Sequence, residues 1–144
     1  MIRVEHSVVI QRPPEDVFAR VADVETWPAW NETAREARIT SPGRRGVGAT
    51  FQLTGQVLGR PLQVDHVVTE YEPHHRFAAR TLSGPFQATG TYVLDPVDGG
   101  TRLTLVMEGE PGGAMKLAGP MIARTIKKQI ETQVDHLKRL LETP

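Results

Sequence analysis

A single long amphipathic helix, predicted over about Met121–Leu141, is the feature that most constrains how this chain folds. Its apolar residues recur with the 3.6-residue period of an α-helix, and they are Ile122, Ile126, Ile130, Val134, Leu137 and Leu141. The opposite face is charged, so the helix has one apolar stripe to bury against another element. Because no other helical pattern of similar length occurs, the covering element is predicted to be a β-sheet.

The rest of the chain is dominated by strand patterns separated by turn clusters. Alternating residues predict an opening strand over Val4–Ile10. Clusters rich in Pro and Gly then divide the sequence into six further strand-like segments, at about 36–40, 49–58, 61–71, 76–82, 86–95 and 101–109. Their spacing of roughly ten residues is typical of an antiparallel meander.

Two short helical segments are predicted after the first strand. Pro14 suits the first helical position, and an apolar stripe starts at Val17. Thr26-Trp27-Pro28 is expected to end this helix, because the residue before a proline disfavours the helical region; a second short turn carrying Trp30 follows. The predicted order is therefore β, α, α, six strands and α, which describes a single α+β domain over residues 1–144.

Several short motifs accompany this order of elements. They are Pro14-x-x-Val17-Phe18-x-x-Val21-x-Asp23, Trp27-Pro28-x-Trp30, Gly46-Val47-Gly48, Thr69-Glu70-Tyr71-Glu72-Pro73 and Gly99-Gly100-Thr101-Arg102-Leu103-Thr104. Together they resemble the START-like or Bet v 1-like (SRPBCC) superfamily, and within it small bacterial proteins of the polyketide cyclase/dehydrase type. The resemblance spans essentially the whole chain. It implies a helix-grip fold, in which a curved seven-stranded antiparallel sheet wraps the C-terminal helix around a cavity for lipids, sterols, polyketides or similar molecules.

Composition excludes several classes of function. The 17 Lys and Arg balance 17 Asp and Glu, so no net field attracts nucleic acid, and no nucleic-acid binding is predicted. Cysteine is absent, which removes disulfide and thiolate chemistry. The first ten residues hold no apolar signal segment, and no apolar run approaches the roughly 18 residues of a membrane helix. We therefore expect a cytoplasmic protein without stable membrane insertion; its oligomeric state stays open.

The five histidines do not form a metal-binding pattern. His74 and His75 are adjacent in a predicted turn, so their side chains diverge and do not easily share an ion. No His-x-His, His-Glu-x-x-His or carboxylate-rich cluster with ligand spacing occurs. Neither a metal nor a cofactor is predicted.

His66 is the histidine with a possible chemical role. It shares one face of the predicted strand with Val64 and its apolar neighbours, whereas Asp65 and Tyr71 occupy the other face. If the first face points inward, His66 is a buried imidazole suited to acid–base work; if the second does, Asp65 and Tyr71 take that place. Period-2 alternation does not choose between the faces, because a shift of one residue inverts them. An ordinary strand histidine is the plainer interpretation.

Arg80 and Tyr92 are weaker candidates for the same site. Relatives of the aromatase/cyclase type carry an arginine in the pocket, and Arg80 matches it only by residue type and position on a strand. Its default orientation is outward. Tyr92 shares a face with Leu94 and could bring a phenol to a ligand carbonyl, although a role in the core is the simpler prediction.

The cavity wall is predicted from inward-facing residues of the sheet and from the first half of the helix. These residues are Trp30, Phe51, Val64, His66, Phe77, Tyr92, Leu103, Leu105, Met107, Leu117, Met121 and Thr125. Phe18, Trp27 and Trp30 are expected mainly to fill the junction between the short helices and the sheet, since aromatic residues dominate small cores.

Three functions follow from this sequence, in decreasing order. The first is binding of a small hydrophobic ligand, which is lipid-, polyketide- or isoprenoid-like, in the cavity between sheet and helix. The second is a polyketide cyclase/dehydratase-type reaction in the same cavity without metal or cofactor, with His66, Arg80 or Tyr92 orienting and protonating the substrate. The third is a protein-interaction module that uses the sheet edge or the helix and holds no ligand.

Overall fold

The computed structural model describes residues 2–43, 45–57, 60–84, 86–111 and 119–143. The strands are β1 Ile2–Ile10, β2 Glu36–Ile39, β3 Thr50–Val57, β4 Arg60–Glu72, β5 Arg76–Thr81, β6 Phe86–Val97 and β7 Gly100–Pro111. The helices are α1 Pro14–Ala22, a 3-10 helix Val24–Ala29 and α2 Gly119–Glu142.

All seven strands form one antiparallel sheet in the order β1-β7-β6-β5-β4-β3-β2. Strands β2 to β7 pair with their sequence neighbours, as expected for a meander, and β1 closes the order by pairing with β7. The β6–β7 turn is Asp98–Gly99. Gly99 has a φ of 78°, which residues with a side chain rarely adopt. Together with the helices, this arrangement confirms the predicted helix-grip fold.

Helix α2 is buried along its second half and exposed at its start. Its buried residues are Ile130, Gln133, Val134, Leu137 and Leu141, all from the C-terminal part. The four apolar residues among them belong to the same core as Leu103 and Leu105 of β7. Met121, in the first turn, has 71% of its surface exposed. Four of the six residues of the predicted apolar stripe are therefore buried and anchor the helix, and Ile126 packs partly buried against the same core.

Polar contacts fasten α2 along the edge strand β1. Lys138 donates to the carbonyl of Val9 at 2.7 Å, and Lys127 donates to the carbonyl of Glu5. An edge strand with free carbonyls is a template for unwanted pairing, and lysines that bond those carbonyls block it. The helix thus covers part of the sheet edge that it packs against.

The region after β1 differs in detail from the prediction. The break between the two short helices lies at Asp23, whereas Thr26-Trp27-Pro28 falls inside the 3-10 helix. The 3-10 helix tolerates Pro28 because its hydrogen bonds are made by residues before and after it. Thr26 N–H donates to Asp23 O at 2.9 Å, and Trp30 N–H donates to Trp27 O at 3.0 Å. Pro120 lies in the first turn of α2, where a missing N–H costs nothing.

Leu137→Ala and Met121→Ala separate the two halves of α2. Leu137 has no exposed surface, so removing its side chain leaves a cavity and is expected to lower the free energy of unfolding by about 2–5 kcal/mol. Met121→Ala, in the same helix, is expected to change it by under about 0.5 kcal/mol. Urea unfolding followed by circular dichroism measures both. Equal losses would mean that the helix is not anchored by its second half.

Candidate functional site

A partly open cavity of about 160 Å³ lies between the inner face of the sheet and helix α2. Its lining comes from β3 to β7, Trp27 of the 3-10 helix, the segment after that helix, and Gln133 of α2. The lining residues are Trp27, Asn31, Thr33, Phe51, Leu53, His66, Phe77, Ala79, Thr81, Ala88, Gly90, Tyr92, Met107 and Gln133. No Asp, Glu, Lys or Arg is among them.

The cavity forms because small residues are paired on neighbouring strands of the sheet. Gly90 of β6 lies opposite Ala79 of β5 on one side and Met107 of β7 on the other. A Cβ on Gly90 would come within 2.9 Å of the Met107 sulfur, so glycine is what allows these strands to keep their packing. The sheet under the second half of α2 carries Leu103 and Leu105 instead, which fill the core. The cavity therefore forms where the inner face changes from large to small side chains.

Aromatic rings form one wall of the cavity. The Trp27 ring centroid lies 5.6 Å from that of Phe51, 6.2 Å from Phe77 and 5.9 Å from Tyr92. The indole Nε1 of Trp27 donates to the carbonyl of Val21 at 2.9 Å, which fixes the ring and satisfies its polar atom. This wall is apolar and held in place by its own contacts.

His66 brings an imidazole to the lining, next to the aromatic wall. Its ring stacks on Phe51 with centroids 4.9 Å apart and planes within 4°. Nδ1 lies 3.0 Å from the carbonyl of Val64, and a carbonyl only accepts, so Nδ1 carries the proton of the neutral ring. Nε2 is then an unprotonated acceptor, and no residue in the described part of the chain hydrogen-bonds to it.

Burial lowers the pKa of His66 below its ordinary value of 6.5. The hydrogen bond to Val64 and the nearby Asp65 carboxylate act in the opposite direction and are outweighed. The ring is therefore neutral at neutral pH.

Tyr92 and Gln133 connect the sheet to the helix across the cavity. The Tyr92 hydroxyl donates to Gln133 Oε1 over a long 3.4 Å. Burial raises the pKa of the Tyr92 phenol above its ordinary value of 10, so it stays protonated. Gln133 is 7% exposed although it is polar.

Asn31 supplies a second buried amide. Its Oδ1 accepts from the backbone N–H of Thr33 at 3.0 Å and from the Thr33 hydroxyl at 2.6 Å. Because a backbone N–H can only donate, this contact fixes which side of the amide is oxygen. The amide Nδ2 of Asn31 has no hydrogen-bond partner among the described residues, and Asn31, which is 5% exposed, lines the cavity.

Two further spaces adjoin the inner cavity. A cavity of about 240 Å³ is lined by Glu32, Thr125, Lys128, Gln129 and Thr132, together with Asn31, Thr33 and Gln133 of the inner cavity. These three shared residues form the boundary between the two spaces. At the end of the sheet, an open groove of about 540 Å³ shares Thr81 and Ala88 with the inner cavity and includes Arg80.

A family model described as polyketide cyclase / dehydrase and lipid transport matches residues 1–142. The chain belongs to this family. The match confirms the resemblance drawn from the sequence motifs. An uncharacterized protein of Mycobacterium tuberculosis is 33% identical over 121 residues, which is 80% of this chain. The chain covers 66% of that relative's length.

Solved structures of the START type have the same fold. A START superfamily protein from Mycobacterium smegmatis superposes with a TM-score of 0.84 at 18% identity, covering 99% of this chain and 98% of its own. The Zhui aromatase/cyclase from a Streptomyces species superposes with a TM-score of 0.83 at 18% identity, covering 97% and 93%. At these identities the likeness concerns the fold. In the described residues, no helix is long and apolar enough to cross a membrane.

A β-bulge explains why alternation in β4 could not choose an inner face for this family member. His66 pairs with Thr81 and Val68 with Ala79, but the register then shifts so that Glu70 pairs with Ala78 and Tyr71 with Phe77. The extra residue brings both His66 and Tyr71 to the inner face, which the two alternatives had treated as exclusive. Asp65 lies outward and accepts from Gln52 Nε2 at 3.1 Å.

Five of the residues predicted for the cavity wall lie in it: Phe51, His66, Phe77, Tyr92 and Met107. Three others are core residues. Leu103 and Leu105 are fully buried where the inner face is filled, and Trp30 lies behind the wall, with its ring 5.8 Å from Trp27. Val64 shares the face of His66 but packs beside Gly84, beyond the cavity.

The structure places the predicted helix residues Met121 and Thr125, and also Arg80, outside the inner cavity; for Arg80 this is the default orientation expected from the sequence. Met121 is exposed because α2 begins beyond the cavity, and Thr125 lines the second cavity, not the inner one. Leu117 lies outside the described residues. Arg80 is exposed on the outer face, since its neighbours Ala79 and Thr81 take the inward positions.

Sequence reasoning missed the buried amides. Gln133 lies within the apolar stripe between Ile130 and Val134, and a polar residue at such a position is the signal that could have identified it. Asn31 gives no periodic signal, because it follows the 3-10 helix in irregular structure. Within the described residues, no three His, Asp or Glu side chains form a cluster that could hold a metal ion.

The lowered pKa of His66 predicts a pH dependence of stability. The unfolded chain binds more protons than the folded one between the folded pKa and 6.5, so the free energy of unfolding falls as pH decreases through this window. His66→Phe keeps a ring for stacking on Phe51 and removes the titration. Urea unfolding is measured for both proteins from pH 7.5 to 4.5. As pH falls, the free energy of unfolding of the wild type is expected to decrease relative to that of the variant. A constant difference would contradict the assignment.

Proposed function

We propose that this protein binds a small, largely apolar molecule in the inner cavity. The observation that carries the proposal is a recessed cavity walled by the ring cluster of Trp27, Phe51, Phe77 and Tyr92, with a few polar atoms at fixed positions. Apolar walls with a small number of oriented polar groups are the usual composition of ligand pockets. Family membership supports the proposal without naming the ligand.

The volume limits what the inner cavity holds. Ligand pockets generally measure roughly 300–1,000 Å³, whereas this cavity is about 160 Å³. A cavity of about 150 Å³ takes one benzene ring. We therefore assign a single-ring or short-chain compound to the inner cavity. A longer molecule, of lipid, polyketide or isoprenoid type, would extend past Asn31 and Gln133 into the second cavity.

A cyclase/dehydratase-type enzyme is the second candidate, favoured by the neutral His66 imidazole in the lining. Its Nε2 would remove a proton from the carbon beside a carbonyl, the carbanion would attack a second carbonyl, and the proton would return to the new alkoxide before water is lost. This function ranks second because Arg80 lies on the outer face and the Tyr92 phenol is engaged by Gln133. The diketone 2,6-heptanedione, which closes to a methylcyclohexenone, tests it: turnover that is absent in His66→Phe would support catalysis.

Ala79→Leu tests the binding site. Ala79 lines the cavity, so three extra carbons occupy the space that a ligand needs. Overpacking costs roughly 1–3 kcal/mol, and affinity for a one-ring probe is expected to fall about tenfold or more. Toluene and acetophenone are titrated as probes, and tryptophan fluorescence, from Trp27 in the wall and the adjacent Trp30, reports occupancy.

Arg80→Leu is the matched control, since it places the same side chain one residue further along β5 on the outer face. Its affinity for both probes should equal that of the wild type, and thermal unfolding should show that both variants are folded. If Ala79→Leu binds the probes as well as the wild type does, the inner cavity is not the binding site. A native mass spectrum of protein purified from its own host would then be needed to find any bound molecule.

A further inference from the structure

The polar atoms of the inner cavity are mostly engaged with one another, and the few that remain define what a ligand must offer. Trp27 Nε1 donates to Val21, and the Tyr92 hydroxyl donates to Gln133. The hydroxyl of Thr33 donates to Asn31. That of Thr81 accepts from the Ala88 backbone N–H at 3.1 Å. Each of these groups has a protein partner before any ligand arrives.

One nitrogen acceptor remains. His66 Nδ1 is committed to the Val64 carbonyl, so the lone pair of Nε2 is available to a bound molecule. Among the described residues, the only fully buried side-chain nitrogen or oxygen without a partner is Trp30 Nε1, so His66 Nε2 keeps accessible surface. Stacking on Phe51 fixes the plane in which that lone pair points.

Two amide donors remain on the other side. Asn31 Oδ1 is occupied by Thr33, which leaves the Nδ2 amine as its free group. Gln133 Oε1 accepts from the Tyr92 hydroxyl, so the amide Nε2 of Gln133 is its available donor. These donors come from the helix and from the segment after the 3-10 helix, whereas the acceptor comes from β4, so they approach a ligand from different elements.

Among the lining residues that the structure describes, none carries a charged Asp, Glu, Lys or Arg side chain. An ionised ligand would lose its hydration without gaining an opposite charge, and burial of an unpaired charge is strongly unfavourable. The lining therefore selects against carboxylates and amines.

We infer that the ligand of the inner cavity is a neutral one-ring compound with a hydroxyl or N–H that donates to His66 Nε2, and a carbonyl or ether oxygen that accepts from Asn31 or Gln133. A hydroxylated aryl ketone has this chemistry. The inference rests on the proposed binding function and narrows its ligand class. The proposed binding function requires only that a ring compound enters the cavity. The further inference requires that His66 makes the protein prefer a ring that carries a hydrogen-bond donor.

The test compares matched ring compounds on the intact protein at pH 7. The probes are 3- and 4-hydroxyacetophenone, their methyl ethers, acetophenone and 4-hydroxybenzoate, titrated calorimetrically. The hydroxy ketones are expected to bind about tenfold more tightly than acetophenone and the ethers, because one more hydrogen bond to a buried acceptor forms. The carboxylate is expected not to bind. In His66→Phe the hydroxyl preference should disappear while acetophenone still binds.

Nitrogen NMR of wild-type His66 keeps the test independent of whether that variant folds. The ring should show the neutral Nδ1–H tautomer, and the Nε2 resonance should move on addition of a hydroxy ketone and not of its methyl ether. Binding of all neutral rings with equal affinity overturns the donor inference and leaves the binding function standing. Tight binding of 4-hydroxybenzoate would overturn the inference that the ligand is neutral. If no ring binds, while Ala79→Leu and wild type behave alike, the binding function fails and the inference fails with it.

Discussion

Burial of the second half of α2 on the sheet is the interaction on which the rest of the structure depends. Ile130, Val134 and Leu137 are fully or almost fully buried in the same core as the leucines of β7. Apolar area removed from water contributes about 25 cal/mol per Å², so this half holds the helix in position. Gln133, within this buried half, lines the inner cavity, whereas Thr125, Lys128 and Gln129 of the first half line the second cavity.

The chemistry of the cavity depends on one irregularity in β4. Without the bulge after Val68, alternation would turn Tyr71 away from Phe77 and separate the two ends of the inner aromatic surface. With it, Tyr71 packs edge-on against Phe18 of α1 at 5.4 Å while His66 still faces the cavity. The extra residue therefore allows Tyr71 to pack on the first short helix while His66, on the same strand, lines the cavity.

The fold was predictable from the sequence because each element has its own local signal: a period of 3.6 in α2, alternation in β7 and turn residues at Asp98–Gly99. The site was only partly predictable. Alternation finds inward residues such as Phe51 and Tyr92, but it does not report whether Leu105 faces a filled core or Met107 an empty space. That difference is set by neighbours across the sheet, and the bulge in β4 leaves no mark in the hydrophobic pattern.

The contacts of α2 with the edge strand β1 count against the third predicted function, a protein-interaction module that uses this edge of the sheet. Binding a partner by strand addition requires free carbonyls and N–H groups on an edge strand. In β1 the carbonyls of Glu5 and Val9 already accept from Lys127 and Lys138, and the next N–H, of Gln11, donates to Glu142 at 2.8 Å. These bonds come from the same helix that covers the cavity. A partner strand at this edge would have to displace these three side chains, so the helix that lies over the cavity also opposes strand addition at β1.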